Sequence, residues 1–295
     1  MKVADKLTKL ANHIGITGGE PLVRSDIFTI LEYVAEHARS ISMQSNLMLL
    51  DLNKAKLLAE IGFSNFFTSL DGASPRTHEL LRGTNSWKGL MKGIELLKKV
   101  GIEFSTVTTI NKFNWQEVGK IAKLSEKLGA TSACFIPIIP IGRASMSNLM
   151  PTPEQMKSAV STLGKVAKEV GIPIVLWCAP FAVCIDYSDE IYVGTCTDKG
   201  IDVDPKGRIL LCDTLDIQIS DIKKPINEII KDLNENKYVK WAKNRKPEVC
   251  TECPYFSRCG GGCVARSYLI YGTFDAPDPL CPLALHKQSK VASLR

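Results

Sequence analysis

Short apolar runs alternate with amphipathic stretches over residues 13–177. The runs rich in β-branched and aromatic residues predict strands, and apolar residues spaced three or four apart predict helices. Predicted strands cover 13–19, 41–45, 65–72, 102–110, 131–139 and 172–177, and predicted helices cover 25–37, 51–61, 86–100, 114–128 and 153–170. Ser25 is the predicted N-cap of the first of these helices. Strand–helix units of about 30–35 residues predict right-handed crossovers and a parallel sheet.

The number of strands limits the architecture. A closed eight-fold barrel usually needs about 250 residues, so about six strands favour an open, partial barrel or a doubly wound sheet. In either α/β architecture, the chemistry lies at the carboxyl ends of the strands.

The pattern changes after Trp177. Residues 199–213 predict a β-hairpin that turns at 204–207, a helical pattern covers about 225–243, and residues 250–281 are rich in cysteine. We therefore predict a domain boundary near 178, with one domain over 1–177 and a second over 178–295.

Composition and charge narrow the class of protein. Hydrophobic residues make up 45% of the 295 residues, which is typical of a folded globular chain. The net charge is +6, and the basic stretch 237–246 predicts a solvated helix face rather than a nucleic-acid patch. The sequence contains no apolar run of about 18 residues, so it predicts no membrane-spanning helix. We expect a cytoplasmic protein that binds neither membrane nor nucleic acid, whose ten cysteines favour metal over disulfides.

Seven cysteines follow the spacing C-x10-G-x4-C, a gap, C-x2-C-x5-C-x3-C, a gap, then C: Cys196, Cys212, Cys250, Cys253, Cys259, Cys263 and Cys281. Thiolates are soft ligands that select zinc, Cu(I) or iron–sulfur clusters. Zinc ribbons usually separate their ligand pairs by about a dozen residues or more, and one zinc ion needs only about four ligands. The spacing therefore favours iron–sulfur clusters, with zinc as the alternative.

This spacing resembles the signature of the SPASM domain, which holds auxiliary clusters in many radical SAM enzymes. The resemblance implies one four-iron cluster on Cys250, Cys253, Cys259 and Cys281. It implies a second on Cys196, Cys212, Cys263 and a cysteine upstream of the motif, with an open coordination position as the alternative to that fourth ligand. Cys178 and Cys184 both lie upstream, and their spacing does not decide between them; Cys178 enters our predicted ligand set. We expect the other, and Cys134, to be inert core residues.

The first half of the chain contains I-T-G-G-E-P, residues 16–21. Glycines at a strand end allow a close approach of backbone to a ligand, and a carboxylate can accept from an ammonium group. A Gly-Gly turn with a capping Glu is the alternative. The segment resembles the GGEP motif of radical SAM enzymes, which implies that Gly18, Gly19 and Glu20 bind the amino group of S-adenosylmethionine. By the same resemblance Ser69 contacts the cofactor and Arg82 holds its carboxylate; a surface salt bridge is the alternative for Arg82.

Asp213 directly follows Cys212. The resemblance to the sulfatase-maturing branch implies a proton acceptor at this place, and a turn-capping aspartate is the alternative.

The sequence holds no cysteine before Cys134 and no C-x3-C-x2-C. In radical SAM enzymes that motif holds the cluster that binds S-adenosylmethionine. We expect a radical SAM-type partial barrel without its first strand, either a fragment of an enzyme or a degenerate relative, that does not cleave S-adenosylmethionine as written.

The resemblance implies a complete enzyme that is an oxidoreductase or maturase acting on a peptide, a protein or a tetrapyrrole precursor. Its cofactors would be S-adenosylmethionine, two auxiliary clusters and a third cluster, and its electron donor a ferredoxin or flavodoxin. The alternative function is a non-catalytic iron–sulfur protein that transfers electrons or binds substrate.

Overall fold

The computed structural model describes residues 2–63, 65–185, 189–194 and 200–284. The strands within these ranges are β1 (His13–Ile16), β2 (Ser40–Ser45), β3 (Asn65–Ser69), β4 (Phe104–Ile110), β5 (Ala133–Pro137), β6 (Ile174–Leu176), β7 (Ile191–Val193), β8 (Asp202–Val203), β9 (Arg208–Cys212) and β10 (Leu215–Asp221). The α-helices are α1 (Lys2–Leu10), α2 (Ile27–His37), α3 (Leu52–Ile61), α4 (Pro75–Arg82), α5 (Ser86–Lys99), α6 (Val118–Leu128), α7 (Pro153–Val166), α8 (Ile226–Glu235), α9 (Lys237–Asn244), α10 (Phe256–Cys259) and α11 (Val264–Tyr271).

Strands β1 to β7 form one sheet in chain order. The pairs β1–β2, β2–β3, β3–β4 and β6–β7 are parallel. Consecutive parallel strands lie side by side because a helical crossover returns the chain to the same edge of the sheet. The predicted α/β class, a parallel sheet of the partial-barrel type, is confirmed, with one strand more than the six that the pattern indicated.

The chain groups into two spatial units, and the first contains residues 1–108, 120–134 and 170–173. Its core joins α2 and α3 to the sheet through Leu31, Met43, Leu58 and Phe66, which are fully buried. Each such side chain contributes about 1.5–3 kcal/mol by leaving water. Helix α3 is fixed locally, since the Asp51 carboxylate accepts from the Lys54 N–H at 2.9 Å.

The second unit contains residues 109–119, 135–169 and 174–295. Helix α7 begins with a capping box between Thr152 and Gln155. Strands β8, β9 and β10 form a small antiparallel sheet. The predicted hairpin turn is confirmed, because the Gly207 N–H donates to the Asp204 carbonyl at 2.9 Å and Gly207 has a φ of 85°. The domain boundary predicted near 178 stays a prediction.

Several elements differ from the pattern-based expectation. The helix expected over 225–243 is two helices, α8 and α9, because Asn236 is extended and its side chain accepts from the Tyr238 N–H at 2.9 Å. The N-cap of α2 is Asp26, so the prediction of Ser25 was wrong. Helices α1 and α4 and strands β7 and β10 were not predicted. Among the described residues, no helix combines the length and apolar content needed to cross a bilayer.

Candidate functional site

In the first unit, the Glu20 carboxylate ties the loop after β1 to the end of β2. Its Oε1 accepts from the Ser45 hydroxyl at 2.8 Å and from the Leu22 N–H at 3.1 Å. Its Oε2 accepts from the Asn46 N–H at 2.8 Å. Glu20 is therefore both the cap of the short 3-10 turn over Pro21–Val23 and a carboxylate held in one orientation at the strand ends.

The two glycines before Glu20 leave the adjacent backbone open. A methyl group added at Gly18 or Gly19 would meet no atom within 4 Å among the described residues. Gly18 has a φ of 147°, which a side chain rarely allows. A ligand can thus approach this backbone closely beside the Glu20 carboxylate.

Arg82 lies at the end of α4 and pairs with Asp71, two residues beyond β3. The Arg82 Nε donates to Asp71 Oδ2, and the Asp71 side chain is only 1% exposed. The Asp71 N–H donates to His78 Nδ1 at 3.2 Å, and burial lowers the pKa of His78, so the ring acts as a neutral acceptor. Ser69, the last residue of β3, is half-buried. The salt bridge considered for Arg82 exists, with a buried partner, and the cofactor-binding role of Arg82 and Ser69 stays a prediction.

In the second unit, five thiols line one pocket: Cys184, Cys250, Cys253, Cys259 and Cys281. The pocket has about 290 Å³ of empty volume, open solvent included. Tight turns bring the thiols together, since the Cys253 N–H donates to the Cys250 carbonyl at 3.0 Å and α10 ends at Cys259. We call these residues the first cysteine set.

The thiols of the first cysteine set interact. Interaction with the neighbouring Cys184 thiol lowers the pKa of Cys281 to about 7, and the same interaction raises the pKa of Cys184. Burial raises the pKa of Cys259 to about 12. Four of the five residues are the ligands that the resemblance implied for one cluster, and Cys184 joins them.

A second cysteine set gathers around β9 and the start of α11. Cys263 lies in a buried cluster with Leu215 and Phe274, and Cys178 and Cys212 pack against that cluster. Burial, with the charge of neighbouring Cys263, raises the pKa of Cys178 to about 12. Cys196 lies outside the described residues. The structure thus sorts the two candidates for the upstream ligand: Cys178 lies with Cys212 and Cys263, and Cys184 lies with the other set.

Across the described ranges, no three His, Cys, Asp or Glu side chains converge closely enough to bind one metal ion. The ligands of a four-iron cluster are about four thiolates. The first cysteine set has five cysteines and the second has three described ones, so the type and number of donors fit a cluster in each set. Cys134 is apart from this chemistry: it is buried in β5, its thiol contacts the Ser132 hydroxyl at 3.7 Å, and burial raises its pKa to about 11.

Asp213 follows Cys212 at the start of the turn between β9 and β10 and lines an open groove with about 2590 Å³ of empty volume, open solvent included. The Cys212 thiol lies 3.4 Å from Asp213 Oδ1. The Asp213 N–H donates to Asp202 Oδ2 at 3.1 Å, and burial, helped by the Asp213 charge, raises the pKa of Asp202. This carboxylate pair beside a thiol can accept a proton, and the predicted role of Asp213 stays a prediction.

The sequence analysis missed a buried ion pair between the cysteine sets. Arg266 and Asp278 have side chains with no exposure, and Arg266 Nη2 donates to Asp278 Oδ2 at 2.7 Å. Arg266 also donates to the Cys178 carbonyl, and Asp278 Oδ2 accepts from the Cys263 N–H at 2.8 Å. The Cys281 N–H donates to the Asp278 carbonyl at 3.0 Å. The pair therefore positions backbone in both sets. Its one sequence signal is that both charged residues lie within the cysteine-rich segment 250–281.

Residues 1–125 match the family described as the Radical SAM superfamily. The chain is 28% identical to the AdoMet-dependent heme synthase of Methanosarcina barkeri, over 90% of this chain and 81% of that protein. It is 25% identical to the mycofactocin maturase MftC of Mycolicibacterium smegmatis, over 95% of this chain and 73% of that protein.

Two solved structures share the fold. Native anSMEcpe with bound AdoMet aligns with a TM-score of 0.74 at 21% identity, covering 99% of this chain and 88% of that chain. Streptococcus suis SuiB bound to S-adenosylmethionine aligns with a TM-score of 0.71 at 14% identity, covering 95% of this chain and 70% of that chain.

Proposed function

We propose that the chain is a radical SAM-type modification enzyme, an oxidoreductase or maturase, with two auxiliary four-iron clusters, and that as given it does not cleave S-adenosylmethionine. The match of residues 1–125 to the Radical SAM superfamily supports this type of enzyme. The observation that supports the clusters is the sorting of eight described cysteines into two sets in the second unit. Iron–sulfur clusters supply one-electron chemistry and are held by about four thiolates each.

We assign the ligands as follows. Cys250, Cys253, Cys259 and Cys281 hold one cluster. Cys178, Cys212 and Cys263 hold the other, with Cys196 as the fourth ligand. Burial keeps the pKa of Cys178, Cys212 and Cys259 at about 12, so these thiols must lose protons when metal binds.

Cys184 is the fifth thiol of the first cysteine set and not a ligand in this assignment. Its thiol donates to the Phe181 carbonyl at 2.7 Å, and it lines the same pocket as Cys281.

In the first unit, Glu20 and Arg82 bind the two ends of an amino acid group, as the resemblance implies for S-adenosylmethionine. Glu20 presents an oriented carboxylate to an ammonium group, and the hydrogen bonds from Ser45 and Asn46 hold it in place. Asp71 fixes Arg82 through Nε, and a guanidinium has further donors on its Nη atoms for a carboxylate.

The substrate we favour is a tetrapyrrole precursor, because three of the relatives are named AdoMet-dependent heme synthases. A peptide is the alternative, since MftC is a maturase and SuiB has been solved with its precursor peptide. A low-potential ferredoxin or flavodoxin is the proposed electron donor, and a non-catalytic iron–sulfur protein is the alternative to an enzyme.

Iron and acid-labile sulfide contents test the cluster assignment. Anaerobically reconstituted protein is expected to bind about eight irons and to form no 5′-deoxyadenosine, because the sequence holds no C-x3-C-x2-C. Cys253→Ala and Cys263→Ala should each lose about half of the iron, from different clusters by EPR, and Cys134→Ala should lose none. A protein that binds one zinc ion and no sulfide would refute the iron–sulfur clusters. Loss of the same cluster in both variants would refute the division into two ligand sets. Formation of 5′-deoxyadenosine would refute the expectation that this chain does not cleave S-adenosylmethionine.

A further inference from the structure

Arg245, directly after α9, is a buried arginine that the proposed chemistry has not used. Its residue exposure is 4%. Nη2 donates to the Gly261 carbonyl at 2.7 Å, the Ala276 carbonyl at 2.8 Å and the Ser267 hydroxyl at 3.3 Å. One nitrogen of the guanidinium therefore fixes the whole side chain.

The other two nitrogens are buried without an acceptor. Neither Nε nor Nη1 of Arg245 has a hydrogen-bond partner in the described part of the chain. A buried donor without an acceptor loses the hydrogen bonds that water would give it, and this loss is larger for a charged group. Nε and Nη1 point to an acceptor that the polypeptide itself does not supply.

Cysteines of both sets line the same groove as Arg245, namely Cys178 and Cys212 of the second set and Cys259 of the first. Burial lowers the pKa of Arg245, whereas the nearby charges of Asp278, Cys263, Cys250 and Cys259 raise it. Because a guanidinium does not lose its proton in proteins, Arg245 is a desolvated cation between the two cysteine sets.

The glycine loop before Cys263 makes room for the guanidinium. A methyl group added at Gly261 would lie 2.8 Å from Arg245 Nη2, and Gly261 has a φ of 82° that favours glycine. The loop therefore approaches the guanidinium as closely as a backbone without a side chain allows.

We propose that Arg245 donates its Nε and Nη1 hydrogens to sulfur atoms of the iron–sulfur clusters held by the two cysteine sets, and so raises their reduction potential. The inference rests on the proposed function. Reduction adds one negative charge to a cluster, and a nearby cation with hydrogen bonds to sulfur stabilises the reduced form more than the oxidised form. Arg245 is thus a positioning residue that tunes electron acceptance.

The test compares reconstituted wild type with Arg245→Gln, Arg245→Lys and Lys240→Gln. Lys240 is an exposed residue of α9, so Lys240→Gln removes the same charge from the solvent side of the same element. The readouts are iron and sulfide content and midpoint potentials from EPR-monitored titration with dithionite.

Arg245→Gln is expected to lower at least one midpoint potential by about 59 mV or more, which is a tenfold change for a one-electron couple. Arg245→Lys should lower the midpoint potential by less than Arg245→Gln does, and Lys240→Gln should have the wild-type potentials. Full clusters with wild-type potentials in Arg245→Gln overturn the inference, and this is the result expected if a buried water satisfies Nε and Nη1.

If Arg245→Gln binds no iron, circular dichroism of the iron-free variants decides. A wild-type spectrum supports the inference, because only cluster binding is then lost. The inference is overturned if Arg245→Gln is unfolded and Arg245→Lys either has the wild-type potential or is unfolded as well. In that case Arg245 only stabilises the fold. If reconstituted wild type binds no iron and no sulfide, the proposed function fails together with the inference. If wild type binds both but the potentials do not respond to Arg245→Gln, only the inference fails.

Discussion

The strand-end site of the first unit and the cysteine region of the second differ in how their polar groups are satisfied. Glu20 and Asp71 are bound by donors of the chain itself. Cys212 and Cys178 carry pKa values near 12 through burial, and Arg245 keeps two N–H groups unpaired among the described residues. The chain's own donors hold both carboxylates of the first region. In the second region, a metal that bound to these cysteines would have to displace the protons of the thiols.

The largest expected effect concerns the ion pair that joins the cysteine sets. Arg266→Met leaves the Asp278 carboxylate buried without its cation, which typically costs about 3–5 kcal/mol. Urea denaturation of the iron-free protein measures the free energy of unfolding. Lys231→Met is the control, because its pair with Glu235 is exposed and worth at most about 0.5 kcal/mol.

Equal unfolding free energies for Arg266→Met and Lys231→Met would contradict this expectation. They would mean that the second unit has little order without metal, which would sharpen the difference between the two regions further.

A smaller effect is expected at Glu20. Glu20→Ala removes the acceptor of the Ser45 hydroxyl and the Asn46 N–H, at a cost of about 1–3 kcal/mol in unfolding free energy. Glu32→Ala, an exposed glutamate on α2, should change stability by less than about 0.5 kcal/mol. Thermal denaturation with and without iron is the measurement. A loss that depends on iron would break the comparison, since the first region would then rely on metal as well.

The smallest expected effect is a decrease in the unfolding free energy toward acid pH that is caused by His78. Burial lowers its pKa below 6.5 in the folded protein, so its contribution to stability is present above pH 6.5 and is lost as the pH falls through the lowered value. One proton changes the unfolding free energy by at most about 1.4 kcal/mol per pH unit. His78→Asn should flatten this slope in denaturation curves between pH 7 and about 5. An unchanged slope would assign the acid sensitivity to other groups.

Helix ends that depend on local chemistry were predictable. Helix α3 begins after Asp51 and ends before the left-handed Gly62, and α7 begins at the Thr152 capping box. These signals act within about one helical turn, so neighbouring residues suffice to determine them. Helix α4 also has a local signal, the Ser74 cap followed by proline, but His78 is its only buried residue, so no apolar period revealed it.

The cysteine sets show where local information ends. Cys178 and Cys184 are six residues apart, and spacing could not decide between them. The 3-10 turn over Pro180–Cys184 carries the chain from one set to the other. The choice therefore depends on tertiary packing, which puts Cys178 against the cluster that contains Cys263 and Cys184 in the pocket with Cys281.

The sequence by itself determined the α/β class and the parallel sheet, and it indicated a cysteine-rich region with the spacing of metal ligands, because periodicity and cysteine spacing are local properties. Only the tertiary structure decided which thiols meet, and that Arg245 and Arg266 are buried between them. A charged residue has the same local signature on a surface as in a core. Its role depends on desolvation and on partners brought from distant parts of the chain.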